Sequence, residues 1–180
     1  EEIGATAHLT LAPNHIYIKH IDEKGQWANV ELTNGGFPRD QWIIKQMAIS
    51  VEAIKNEVYM KPLTEKESIA LTMFDLASAY DYQFETDSFY LSIVETALLY
   101  FPKCIPLLMS KANYYGTAGI KEQKKDYPNS TVLKEMYDKQ ELAYKQISDL
   151  GYKHMPLELY EQWVQSVENE KQKRASQIKN

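Results

Sequence analysis

Apolar and polar residues alternate with a period of two near the N-terminus and with a period close to 3.6 from Leu63 onward, and this change of period divides the chain. Residues 5–11, Ala-Thr-Ala-His-Leu-Thr-Leu, read as a first strand stopped by Pro13-Asn14. His15-Ile-Tyr-Ile-Lys-His-Ile and Trp27-Ala-Asn-Val-Glu-Leu-Thr then flank the polar, glycine-bearing Asp22-Glu-Lys-Gly25, a pattern that predicts an antiparallel hairpin. Alternation sends His15, Tyr17 and Lys19 to one face and Ile16, Ile18 and His20 to the other. Two short helices are expected near 40–47 and 51–57, the second capped by Ser50, and Lys61-Pro62 closes this region.

The rest reads as helices. Thr64-Glu-Lys-Glu67 is a capping box, and Ile69, Met73, Leu76, Ala77 and Tyr80 fall on one face of the helix it opens. Tyr90, Ile93, Val94, Ala97, Leu98 and Phe101 form the face of a second helix, stopped by Pro102. A third, from about Cys104, carries Ile105, Leu108, Ala112 and Tyr115, with Gly116 and Gly119 as interruptions. Leu133, Met136, Tyr137, Ala143, Tyr144 and Ile147 mark a fourth, with Gly151 as its left-handed cap. A fifth starts near Pro156 and presents Tyr160, Trp163, Val164 and Val167, and fraying is expected beyond Glu168. The domains drawn from this pattern are 1–62 and 63–180, and the class is α+β.

Composition narrows the function. With 44% hydrophobic residues in 180, the chain can bury one good core or two small ones. A net charge of −5, with no basic block before the mild Lys171–Arg174 tail, argues against nucleic acid, because phosphate neutralisation needs clustered lysine and arginine. No run approaches the length of a membrane span. The compartment stays open, since a lone cysteine rules out an internal disulfide without indicating where the protein resides.

The candidate chemistry lies on the hairpin. The start of one strand faces the end of its partner, which brings His15 within reach of Glu31: a base and the carboxylate that orients it. A strand histidine bonded to a carboxylate is also a common structural pair, so the residues alone leave both readings open. Cys104 sits in the apolar Phe101-Pro-Lys-Cys-Ile-Pro and reads as a buried small hydrophobe. The four histidines lack zinc-type spacing, Gly35-Gly36 lacks a phosphate loop's strand-to-helix setting, and no cofactor or metal is expected.

A histidine opening a strand, then a tryptophan, an acid four residues later and a threonine two beyond, here His15, Trp27, Glu31 and Thr33, resembles the His/Asp half of the transglutaminase-like cysteine-enzyme core. Glu31 stands where that family usually has aspartate, and Leu32 where proline is common. The opening Glu1–His8 resembles the segment after the family's nucleophile helix, which implies a catalytic cysteine about a dozen residues before Gly4. By this resemblance the sheet is a remnant of a transglutaminase-like core. The helices resemble tetratricopeptide repeats, with Ala77 and Tyr80, Ala97 and Pro102, and Ala112 and Tyr115 at the matching positions. Two functions follow. One is the C-terminal part of a cysteine-dependent acyl-transfer or amide-hydrolysing enzyme, with His15 and Glu31 catalytic and 1–180 alone inactive. The other is a non-catalytic scaffold whose repeats hold a protein or peptide partner.

Overall fold

The computed structural model describes residues 5–33 and 35–178, with some side chains of the last helix excepted. The readings placed on Glu1–Gly4 and on the side chains of Trp163 and Val167 lie outside the described residues. Within them, β1 (Ala7–Ala12), β2 (His15–Ile21) and β3 (Trp27–Val30) form an antiparallel sheet in the order β1-β2-β3. Seven helices follow: α1 (Asp40–Gln46), α2 (Val51–Lys55), α3 (Glu65–Gln83), α4 (Ser88–Tyr100), α5 (Ile105–Gln123), α6 (Ser130–Asp149) and α7 (Leu157–Ile178). The architecture is α+β. No described helix is long and apolar enough to cross a membrane.

The chain packs as two compact units, Glu1–Leu63 with Lys153–Asn180, and Thr64–Tyr152. The change of period at Leu63 falls beside the break between them. Residues 153–180, placed by their period with the preceding helices, group instead with the first unit, and Gly151 at φ 85 and the irregular stretch 152–156 separate them from α6.

In the sheet unit, Asp22 Oδ1 accepts from the amides of Lys24 and Gln26, and Gly25 takes φ 73, so the β2–β3 turn is tight and its register determined. The outer edge of β1 is covered: Met60 N donates to Leu11 O and Leu63 N to Leu9 O, with Thr10 bridged to Pro62. Leu11, Ile43, Met47, Ala53, Val58 and Met60 are buried here. The face of the sheet that turns inward is the one bearing Thr10, Tyr17, Lys19 and Asn29, while Ile16 on the other face remains partly open to solvent.

In the helical unit, Thr64 and Glu67 form the expected capping box, Asp87 caps α4 and Asn129 caps α6. α3 packs on α4, α4 on α5 and α5 on α6. Ala77, Ala97, Cys104, Leu107 and Ala112 have no exposed surface. The inward face of α3 is Ala70, Leu71 and Ala77; Ile69 and Leu76, expected inside, are exposed. Gly116 and Gly119 do not interrupt α5, which runs through both. They allow it to approach α6: a Cβ on Gly119 would lie 3.2 Å from Tyr137 Cε1, and one on Gly116 only 2.3 Å from Gln140 Nε2. The α5–α6 connection is held by Glu122, which accepts from the Asn129 amide at 3.0 Å and pairs with Lys125.

Candidate functional site

The hairpin register pairs Ile18 with Val30, Lys19 with Asn29, His20 with Ala28 and Ile21 with Trp27. One residue further, Glu31 lies across from Tyr17 and diagonal to His15, a separation long side chains span. Across that diagonal His15 Nε2 and Glu31 Oε2 share a hydrogen bond. Both side chains are largely shielded, at 11% and 12% of their surface. Glu31 is held independently: its Oε1 accepts from the Thr33 amide at 2.9 Å, and its own amide donates to Gly36 O at 2.8 Å.

Burial pushes the Glu31 carboxyl up, but hydrogen bonds from His15 and from the Thr33 hydroxyl and amide outweigh it and hold the group below its ordinary value. It is therefore an anion at neutral pH and can only accept, so the shared hydrogen belongs to His15 Nε2. A carboxyl lowered on folding stabilises the fold fully above its unfolded value, and that contribution disappears as pH falls through the folded one. Thr33→Val, which removes the hydroxyl donor, should move the Glu31 carboxyl titration upward, followed by ¹³C NMR. An unmoved titration would show that the hydroxyl contributes nothing.

Thr10, Lys19, Asn29 and Asp40 belong to the same covered face; the sequence placed Lys19 there but gave it no role, because a lysine on a strand reads as solvated. Thr10 pairs with Tyr17, and Lys19 lies between His8 and Asn29, all on the face of His15. Lys19 is 7% exposed with Nζ 3.5 Å from Asp40 Oδ1. Asn29 Nδ2 donates to Pro38 O at 2.9 Å and Asp40 Oδ1 at 2.7 Å, which ties the start of α1 to β3. The signal that could have revealed them is the same alternation that grouped His15, Tyr17 and Lys19.

Other expected positions fall away from the pair. Trp27 is at the opposite end of the hairpin, its ring edge-on to His8 at 5.7 Å. His8 Nδ1 donates to Leu63 O, His20 Nδ1 to Ile21 O and His154 Nδ1 to Met155 O. Among the described residues no group of three or more histidines, cysteines or carboxylates is placed to hold a metal. Cys104 lies in the helical unit, fully buried, its thiol pushed up to about 12 by burial despite a hydrogen bond to the Leu107 backbone. Such a thiol is not a nucleophile at neutral pH.

A shielded imidazole paired with an oriented carboxylate can take up and return a proton. Comparison of the chain with protein-family models, with curated proteins and with solved structures finds no match.

Proposed function

We propose that residues 1–180 are the C-terminal part of a transglutaminase-like protein that performs acyl transfer or amide hydrolysis through a cysteine thioester. The observation that supports this is the hydrogen bond between His15 Nε2 and Glu31 Oε2, with Glu31 itself pinned by Thr33. The nucleophile in this reading is a cysteine about a dozen residues before Gly4. Its thiolate attacks a carboxamide carbon, His15 gives a proton to the leaving nitrogen, and a thioester forms. Water or an amine then attacks the thioester while His15 takes its proton, and the thiolate is released. Glu31 keeps the imidazole in the Nε2–H tautomer and stabilises its cationic form.

The helical unit is assigned as a repeat layer that shapes or recruits the substrate, supported by Ala77, Ala97 and Ala112, small helix residues with no exposed surface. Residues 1–180 alone should neither release ammonia from a glutamine peptide nor cleave peptides. Thiol-dependent release abolished by Cys104→Ser would overturn the assignment of the nucleophile. The decisive test adds the upstream cysteine and compares turnover with and without His15→Ala. The competing scaffold reading is favoured by Ile69, Leu76 and Leu99, apolar residues exposed on helix surfaces. A residue other than cysteine at the upstream position decides for it.

A further inference from the structure

Tyr17 adjoins both members of the pair: it is two residues from His15 on the same face of β2 and, by extension of the register, opposite Glu31. Its ring lies nearly parallel to the imidazole, with planes 12° apart and centroids 6.4 Å apart. Aromatic rings attract at that separation. Tyr17 is 1% exposed, so its ring has no room to swing away. Among the described residues its hydroxyl has no hydrogen-bond partner. Burying an unpaired hydroxyl is unfavourable, so the hydroxyl does not explain how the ring is held. Burial, together with the negative charges of Asp40 and Glu31, pushes the phenol up, so it brings no charge to the pair.

We propose that Tyr17 is a positioning residue for His15: its fixed ring restricts rotation of the imidazole and holds Nε2 on Glu31, while its hydroxyl is dispensable. The proposal rests on the reading of His15 as the acid–base group. Its test observes the geometry of the pair without any reaction, so either can fail without the other.

The experiment uses residues 1–180 at neutral pH and follows two NMR signals. One is the Overhauser contact between the ring protons of His15 and Tyr17; the other is the solvent exchange of the His15 Nε2 proton. The contact should be present in the unsubstituted protein. Tyr17→Phe, which keeps the ring, should leave the exchange rate within about twofold, whereas Tyr17→Leu should raise it roughly tenfold, the scale of one lost aromatic contact. Absence of the contact in the unsubstituted protein overturns the proposal whatever the variants do. A leucine variant that exchanges as slowly as the original, or a phenylalanine variant that exchanges about tenfold faster, overturns it as well. If the leucine variant does not fold, the contact and the phenylalanine variant decide.

Discussion

In a chain extended N-terminally through the proposed cysteine, His15→Ala should lower the release of ammonia from a glutamine peptide by about 10²–10⁴-fold, the usual contribution of a positioned acid–base group. Alanine leaves neither a base to help form the thiolate nor an acid for the leaving nitrogen. Thiol alkylation near neutral pH should slow in the same variant, because a thiolate is favoured by an imidazolium beside it. Glu31→Gln keeps the shape, removes the charge and should slow both processes by a smaller factor. His20→Ala is the control. His20 lies on the opposite face of β2, bonded locally to Ile21 O, and its loss should leave turnover unchanged. Folding of each variant is checked by its melting transition, so that lost activity is not confused with lost structure. Equal turnover in His15→Ala and the parent protein would end the catalytic reading and leave the hairpin pair as architecture.

Phe101→Ala should destabilise the helical unit by about 3–5 kcal/mol, as expected for emptying a well-packed aromatic site. Phe101 is the C-cap of α4, 2% exposed, and its amide donates to Ala97 O, so its ring sits where α4 ends and the turn into α5 begins. The Cys104 amide donates to Phe101 O at 3.2 Å and Cys104 is itself fully buried, so the turn at this site is packed and collapses little around a void. Urea unfolding followed by far-ultraviolet circular dichroism would show the loss as a lower midpoint, and amide exchange in α4 and α5 would quicken by roughly 10²–10³-fold or more. Leu99→Ala, on the same helix but 80% exposed, should stay within about 0.5 kcal/mol. If the two substitutions cost the same, the assignment of the inward face of α4 is wrong.

The sequence pattern of α4 was sufficient to identify that face, since Tyr90, Ile93, Val94 and Ala97 recur at helical spacing and are all buried. α3 was harder because Ile69 and Leu76 lie beside the stripe of Ala70, Leu71 and Ala77 and not on it. Packing against α4 favours the close approach that Ala70 and Ala77 allow, and Ile69 and Leu76 are left outside. Gly116 and Gly119 were misread for a related reason. Glycine lowers helix propensity locally, but here it clears room for Gln140 and Tyr137 on α6, a benefit visible only once the two helices are side by side.

What the chain determines by itself is local. Thr64 with Glu67, Asp22 with Gly25, and Gly151 set caps and turns through bonds between near neighbours, and strand alternation already places His15, Tyr17 and Lys19 on one face, with Glu31 close to His15 once the hairpin closes. What only the tertiary structure decides is which face of that hairpin turns inward. The apolar residues Ile16 and Ile18 would favour their own side, yet the covered face is the polar one, where Asp40 at the start of α1 receives Asn29 and lies beside Lys19. Residues more than ten positions apart supply that cover, and no period along the chain reports on it, because the free energy of burying a polar face depends on partners that sequence spacing does not place.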